Sequence, residues 1–380
     1  MEKLFKQRLH ALIAEASVSC TLPSHDMSNR PIIDMLAGWL EQKNFTCRTQ
    51  DIDANKANLI ACLGSGEGGL VLSGHSDTVP FDESRWNSNP LAITEKDNRF
   101  YGLGTCDMKG FFAVILAAID ELKLDSSMLK KPLIVLATAD EESSMSGARA
   151  LCAADLHHSR YAIIGEPTGL VPIYMHKGIG MQRLNIKGQA GHSSNPSLGN
   201  NAIEAMHAAI ADLLAFRRQL QEQHQNRAFD IATPTMNLGC IHGGDNPNRI
   251  CGSCHLDFDL RPLPGMELDR IHGELNQRLQ GIADKHGVEL SLEKLFGGVE
   301  AFAQDKNSEL VAWAQELSGH NPQTVAFATE APFLKKLGMQ TVVLGPGSID
   351  QAHQPDEFLD FDQIKPAVAI VKSAIQRYCL

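Results

Sequence analysis

The sequence has no long uninterrupted apolar run, no excess of positive charge, and no internal repeat or low-complexity tract. Its longest apolar stretch, 111–119, is shorter than the roughly 18 residues needed to cross a bilayer, so we expect a soluble protein without a membrane partner. The 34 lysines and arginines against 45 aspartates and glutamates give a formal net charge of −11. This balance argues against nucleic acid as a partner.

The amino-terminal stretch, MEKLFKQRLHALIAEAS, contains acids and lacks a basic segment leading into an apolar run and a cleavage site. The nine cysteines are an odd number scattered from Cys20 to Cys379, which is typical of reduced thiols rather than a disulfide framework. Because both features argue against export, we expect a cytoplasmic protein.

The composition, with 43% hydrophobic and 21% charged residues, is typical of a folded chain, and 380 residues favour two domains over one core. Four apolar runs each end in a polar turn, which is the pattern of buried strands: 70–73, 133–138, 161–165 and 341–344. The segments 111–122 and 367–378 have the composition of helices. This alternation predicts an α/β domain with a mostly parallel sheet and helices on both faces.

The pattern changes within 178–293, where strand, helix, two strands, helix and strand follow one another. This is the order of a ferredoxin-like α+β domain. We therefore expect an inserted domain at 178–293 that divides a larger catalytic domain formed by 1–177 and 294–380.

Side chains able to bind metals lie at the ends of the predicted strands or in turns: His75, Asp77, Asp107, Glu141, Glu142, Glu166 and His353. Each of them alone has an ordinary interpretation as a solvated or hydrogen-bonded polar group. Functional groups gather beyond the carboxyl ends of parallel strands, so we expect these residues to converge. Imidazole and carboxylate ligands are expected of zinc at a hydrolytic centre, and three acids with two histidines suit two divalent ions that share a bridging carboxylate.

Four ordered motifs carry a specific resemblance: GHSDTVP at 74–80, GLGTCDMKG at 102–110, DEE at 140–142 and GEPT at 165–168. They resemble the di-zinc aminoacylase and exopeptidase family that includes succinyl-diaminopimelate desuccinylase. The resemblance runs over essentially the whole chain. It implies a metal-dependent hydrolase that removes the acyl group from an N-acyl amino acid.

The resemblance also implies a role for each residue of this cluster. Asp107 would bridge two Zn²⁺ ions per subunit, for which Co²⁺ is a substitute, with His75 and Glu166 completing one site and Glu142 and His353 the other. Asp77 would orient the ring of His75, as carboxylates near metal-bound imidazoles commonly do. Glu141 would be the general base, and the family implies a cis peptide bond between Asp107 and Met108.

In members of this family, the equivalent of His192 crosses from the partner subunit to contact the oxyanion, and Asn248 is similarly placed in the sequence. The resemblance thus implies a homodimer that pairs through the inserted domain, which would also act as a lid. From the residues alone, His192 has a second interpretation as a turn residue that caps the next segment.

Substrate binding is assigned to arginines and one threonine. Arg249 and Arg261 have the fork geometry that suits an α-carboxylate, and Thr329 is expected to help hold it. The alternative for Arg261 is a salt bridge at a strand end.

Three other patterns bear on different functions. The CGSCH sequence at 251–255 matches a haem-attachment pattern, but it is predicted to lie in a strand, where the thiols of Cys251 and Cys254 point apart. A dinucleotide site at Gly102–Leu103–Gly104 would place Asp107 beside a pyrophosphate, and the nucleophile motif Gly-x-Ser-x-Gly does not occur. The remaining alternatives are a dipeptidase, a deacylase of another N-acyl amino acid, and a non-catalytic metal-dependent binding protein.

Overall fold

A computed structural model describes residues 2–380. Its helices are α1 (Glu2–Ala14), α2 (Arg30–Glu41), α3 (Lys109–Leu122), α4 (Ser146–Arg149), α5 (Ala202–Gln223), α6 (Leu268–His286), α7 (Glu309–Ser318), α8 (Ala331–Lys336) and α9 (Phe361–Tyr378). Its strands are β1 (Thr46–Asp51), β2 (Ala57–Leu63), β3 (Leu70–His75), β4 (Thr94–Lys96), β5 (Arg99–Tyr101), β6 (Leu133–Thr138), β7 (Tyr161–Pro167), β8 (Ile173–His176), β9 (Gly180–Lys187), β10 (Thr235–Gly243), β11 (Ser253–Arg261), β12 (Glu289–Lys294), β13 (Phe302–Ala303), β14 (Gln323–Val325), β15 (Gln340–Gly345) and β16 (Phe358–Asp360). None of the helices in this part of the chain combines the length and apolarity that crossing a membrane requires.

The chain forms two compact units. The first comprises 2–174, 304–323 and 329–380, and the second comprises 175–303 and 324–328. The first unit contains a mixed sheet with the strand order β1-β2-β6-β3-β7-β15. Strands β6, β3, β7 and β15 run parallel, whereas β1 and β2 pair antiparallel with their neighbours. The expected parallel arrangement therefore describes the centre of the sheet, and its outer strands are antiparallel.

Helices cover both faces of this sheet, as the sequence predicts. Leu72 and Val135 belong to a core cluster with Phe112 of α3, a helix that also packs against α1 and α9. The alternate residue Ser73 faces the other way and donates a hydrogen bond to Glu330, which immediately precedes α8. Strands β2, β3, β6 and β7 are buried along their whole length because both faces are covered.

The parallel strands place functional residues along one edge. β3 ends at His75, β6 ends at Thr138 and β7 ends at Pro167, all on the same side because the strands share one direction. A small antiparallel sheet in the order β16-β5-β4 lies in the same unit. Its pairing of Phe358 with Tyr101 places the segment that follows β5 beside the segment that precedes β16.

The second unit contains an antiparallel sheet in the order β10-β11-β9-β12. Helices α5 and α6 pack on each other and on this sheet, and the alternate residues Leu184, Leu256 and Phe258 join them in a second core cluster. The chain order β9-α5-β10-β11-α6-β12 is that of a ferredoxin-like domain.

This unit extends beyond the segment 178–293 that the sequence pattern delimits. It begins at Met175, because Phe302 of β13 pairs with His176 and Val299 forms a bridge with Ile179. Such short pairings between distant segments leave no periodic pattern in the sequence.

The nine cysteines are free thiols. Cys251 lies before β11 and donates a hydrogen bond to the carbonyl of Ser253, and Cys254 is buried within the strand. The CGSCH sequence therefore contains no disulfide, and its thiols make local contacts of the ordinary kind.

Candidate metal centre

His75 is the last residue of β3 and is only 1% exposed. Its Nδ1 lies 3.0 Å from the backbone carbonyl of Asp77, to which it donates, and 3.8 Å from the Asp77 carboxylate. The carbonyl rather than the expected carboxylate is thus the hydrogen-bond partner that fixes the ring. This bond leaves Nε2 facing the site, where it lies 3.0 Å from Oδ1 of Asp107.

Asp107 lies between two imidazole rings. Its Oδ1 contacts His75, and its Oδ2 lies 3.5 Å from Nε2 of His353. His353 Nε2 is also 3.0 Å from Oε2 of Glu142. The peptide bond from Asp107 to Met108 is cis, as the family resemblance implies. One carboxylate therefore joins two histidines that lie far apart in the sequence.

The adjacent acids Glu141 and Glu142 follow β6 and take part in different groups of side chains. Atoms of His75, Glu141 and Glu166 lie within 4.8 Å of one another, and so do atoms of His75, Asp107 and Glu142. Both groups are able to hold a metal ion. The backbone N–H of Glu142 donates to Oδ2 of Asp77 at 3.1 Å, which ties this turn to the segment after β3.

Negative charge is concentrated among the acids of this site. Burial raises the pKa of the Glu141 carboxyl well above its usual value, and the charge of Glu166 adds to the rise. Burial and the charge of Asp107 raise the pKa of Glu166 in the same way, and burial raises the pKa of Asp77 to about 7. Within residues 2–380, Oε1 of Glu166 and Oδ1 of Asp77 are buried without a hydrogen-bond partner. A cation would offset the repulsion among these acids and give Oε1 of Glu166 a partner, so the residues of the two groups fit a bound metal.

The same surroundings favour the protonated, positively charged form of the two histidines. Burial lowers the pKa of His75, but its bond to Asp107 and the charge of Glu166 raise this pKa overall, well above its usual value. Hydrogen bonds to Asp107 and Glu142 raise the pKa of His353 to about 10. Because an imidazole binds a metal only in its neutral form, a cation at this site takes the place of these protons.

Two further residues support the site and were missed by sequence reasoning. Asp140 has a left-handed backbone conformation, with φ of 58°, and its carboxylate accepts hydrogen bonds from buried Ser19 and from Ser146. Glu357 is buried and accepts hydrogen bonds from the backbone N–H groups of Cys106 and Asp107. Asp140 lies in the DEE motif as the neighbour of Glu141, and Glu357 lies in none of the four motifs.

In the second unit, the structure brings His192, Asn248 and Arg249 together. His192 is exposed and forms an antiparallel bridge with Arg249, and the carbonyl of Asn248 accepts a hydrogen bond from Ser193 N–H at 3.0 Å. The N–H of Ser194 donates to Nδ1 of His192 at 3.2 Å, so the ring proton of a neutral His192 is on Nε2.

The remaining predicted substrate ligands have structural contacts of their own. Arg249 is exposed and pairs with Asp245, and Arg261 donates from Nε to Asp259 at 2.9 Å. The latter contact is the strand-end salt bridge that was the alternative for Arg261. Thr329, in the first unit, is fully buried, and its hydroxyl accepts a hydrogen bond from the N–H of Ala331 at the start of α8.

A mixed α/β sheet with imidazoles and carboxylates at its carboxyl edge is the architecture of a metal-dependent hydrolase. The sequence model of Peptidase family M20/M25/M40 matches residues 71–377. The chain belongs to this family, which confirms the resemblance that the four motifs carry.

Curated relatives match nearly the whole chain. The acetylornithine deacetylase of Vibrio cholerae is 48% identical over 375 residues, which cover 99% of this chain and 98% of the relative. The acetylornithine deacetylase of Pectobacterium carotovorum is 46% identical over 377 residues, with the same coverage.

Solved structures share the fold. Aminopeptidase PepT from Bacillus cereus matches with a TM-score of 0.78 and 19% identity, covering 100% of this chain and 99% of its own. The YXEP protein of Bacillus subtilis, described as a dinuclear metal binding peptidase, matches with a TM-score of 0.69 and 17% identity, covering 99% of both chains.

Proposed function

We propose that this protein is an acetylornithine deacetylase, which hydrolyses N2-acetyl-L-ornithine to acetate and L-ornithine in arginine biosynthesis. The observation that carries the proposal is the position of Asp107, whose two carboxylate oxygens face different histidines, His75 and His353. Full-length relatives at 46% to 48% identity bear this enzyme's name, which supports the choice of substrate.

We assign the residues of the candidate metal centre to two divalent cations, zinc with cobalt as a substitute. His75, Asp107 and Glu166 would hold one, and Asp107, Glu142 and His353 would hold the other. The buried, unpartnered Oε1 of Glu166 fits this assignment. When bound, such ions lower the pKa of water towards about 7 and polarise the amide carbonyl.

The side chains of the protein then move the proton. Glu141 is the free neighbour of Glu142 and shares a cluster with His75 and Glu166. We assign it as the general base that accepts a proton from the attacking water and returns it to the departing amine. Asp77 fixes the ring of His75 through its backbone carbonyl. No covalent acyl-enzyme is required.

We assign two roles to the second unit: it pairs two subunits, and it donates hydrogen bonds to the oxyanion. We propose a homodimer formed through this unit, in which His192 of one subunit serves the site of the other. A neutral His192 carries its proton on Nε2, which therefore suits it as a donor to a developing oxyanion. Asn248 is held beside it by the hydrogen bond to Ser193, and we assign it to the same task.

Arg249, Arg261 and Thr329 are proposed to bind the substrate carboxylate. Arg249 is the best suited of the three, because it is exposed and its ion pair with Asp245 is a surface contact worth little in water. Arg261 would have to leave Asp259, and Thr329 would have to leave its place at the start of α8. The free thiols accord with a cytoplasmic location.

The test is a panel of substrates assayed with Zn²⁺ and with Co²⁺: N-acetylornithine, N-acetylcitrulline, N-acetylmethionine, N-succinyl-diaminopimelate and a dipeptide. We expect the highest kcat/KM for N-acetylornithine and loss of activity in chelator. A preference for the dipeptide or for another acyl amino acid would overturn the substrate assignment, and full activity in chelator would overturn the metal assignment.

A further inference from the structure

Glu357 reaches from one loop of the candidate metal centre to another. Its Oε1 accepts hydrogen bonds from the N–H groups of Cys106 at 2.7 Å and Asp107 at 2.9 Å, and its Oε2 accepts one from Gly104 at 3.0 Å. Its own backbone carbonyl accepts a fourth, from Gly102, at 2.9 Å. A single residue thus binds four backbone amides of the segment 102–107, which we call the aspartate loop.

The aspartate loop needs such a partner. It is buried and irregular, and Gly104 has φ of 84°, a conformation that glycine adopts without strain. A buried N–H group that lacks an acceptor costs about 1–3 kcal/mol. A carboxyl group offers two acceptor oxygens, so a single side chain is able to accept three such bonds at once.

Glu357 itself belongs to the loop that contains His353. It lies four residues after this histidine, in the segment 348–357, which we call the histidine loop. Asp356 in this loop accepts a hydrogen bond from the N–H of Asn87 at 2.8 Å, and Cys106 donates from Sγ to the carbonyl of Ser348 at 3.4 Å. These hydrogen bonds hold the histidine loop in place at several points. Glu357, at the end of this loop, is in turn hydrogen-bonded to the backbone of Asp107.

We propose that Glu357 is a positioning residue that sets the placement of Asp107 relative to His353, and thereby the geometry in which these two residues hold metal. This inference depends on the metal binding given under the proposed function, but it does not depend on the proposed substrate. Glu357 accepts a hydrogen bond from the backbone N–H of Asp107, so it acts through that residue rather than on the substrate.

Glu357→Gln is the informative change. The amide keeps one acceptor oxygen, but its NH₂ group would face an N–H donor of the aspartate loop, and at least one bond is lost. The matched control is Glu300→Gln, because Glu300 also accepts a backbone N–H, that of Leu268, but lies in the second unit. Glu357→Asp keeps the carboxyl group at a shorter reach and tests for partial rescue.

Four measurements are made on full-length protein: unfolding temperature in chelator, Zn²⁺ affinity by calorimetry, the visible spectrum of bound Co²⁺, and kcat and KM. For Glu357→Gln we expect Zn²⁺ affinity lowered about 10- to 100-fold, as for other residues that orient metal ligands. We also expect an altered Co²⁺ spectrum, a lower kcat with little change in KM, and an unfolding temperature in chelator within about 4 °C of wild type. Glu300→Gln should match wild type in metal binding, and Glu357→Asp should be intermediate.

Wild-type Zn²⁺ affinity and an unchanged Co²⁺ spectrum in Glu357→Gln would overturn the proposal. Failure of that variant to fold in chelator would do so too, because it would assign Glu357 to the fold as a whole. Metal binding is measured without substrate. A wild-type protein that binds metal but does not hydrolyse N-acetylornithine would therefore contradict only the proposed function.

Discussion

The ammonium group of Lys56 lies 3.0 Å from Oδ1 of Asp140, the residue that immediately precedes Glu141. Lys56 is 2% exposed and also lies 2.8 Å from Oδ1 of Asp26. A buried cation thus holds two carboxylates, one of which begins the turn that carries Glu141 and Glu142. The contact links the start of β2 to the candidate metal centre.

Replacing Lys56 with methionine should destabilise the protein strongly. Asp140 would keep its hydroxyl partners but lose its counter-charge, and breaking a buried ion pair costs about 3–5 kcal/mol. The control is Lys372→Met, because Lys372 pairs with Glu121 at the surface, where such pairs contribute at most about 1 kcal/mol. Urea unfolding of both variants measures the difference, and equal losses would contradict the assigned role of Lys56.

The adjacent acids Glu141 and Glu142 should respond differently to amide substitution. Glu141→Gln should retain both metals and lower kcat by about 100- to 10,000-fold, because it removes the proton acceptor. Glu142→Gln should lose metal, because Glu142 contacts His353. Metal content by atomic emission, measured beside kcat, separates the two roles. Since each acid belongs to one of the two candidate metal groups, metal loss in Glu141→Gln instead would make it a ligand.

His192→Ala should lower kcat while both metals remain bound, since the ring is assigned as a donor to the oxyanion rather than as a ligand. The matched control is His207→Ala, which removes another exposed histidine of the same unit, on α5. Metal content and kcat are measured for both. Release of metal from His192→Ala, or an equal fall of kcat in both variants, would contradict the assignment.

Acid should weaken the second unit through His176. This ring is fully buried and donates from Nδ1 to the carbonyl of Lys177 at 2.8 Å, and burial lowers its pKa from 6.5 to about 4. The unfolded chain therefore binds the proton first as pH falls. The contribution of the neutral ring is complete above pH 6.5 and is lost at about 1.4 kcal/mol per pH unit down to about pH 4.

His176→Asn tests this linkage, because an asparagine amide replaces the Nδ1 donor and does not titrate. The variant should be less stable than wild type at pH 7.5, and the gap between their unfolding midpoints should narrow between pH 6.5 and pH 4.5. A gap that stays constant over this range would show that His176 does not account for the acid sensitivity.

Local patterns predicted the parts of the site that lie at the ends of buried strands. His75 and Glu166 could be placed because each occurs at the end of an uninterrupted apolar run that forms a parallel strand. The positions of β1 and β2 at the antiparallel side of the sheet could not be predicted, because strand order depends on pairings between distant segments. The apolar pattern of 367–378 predicted the body of α9, whereas the helix begins at Phe361 and includes Pro366.

The contacts that hold the site residues in place could not be predicted from the sequence for a related reason. The bond from His75 to the carbonyl of Asp77, rather than to its carboxylate, depends on backbone direction after β3. The contacts of Glu357 and Lys56 join segments more than 80 residues apart. Motifs show which residue types are present, whereas these contacts depend on how the loops close.

The distribution of thiols has a practical consequence. Two of the nine cysteines, Cys152 and Cys240, are exposed, and one belongs to each compact unit. Thiol-reactive fluorophores would attach at these two positions of the native chain without engineered labelling sites. Energy transfer between them would then report, in solution and in real time, any change of spacing that substrate induces.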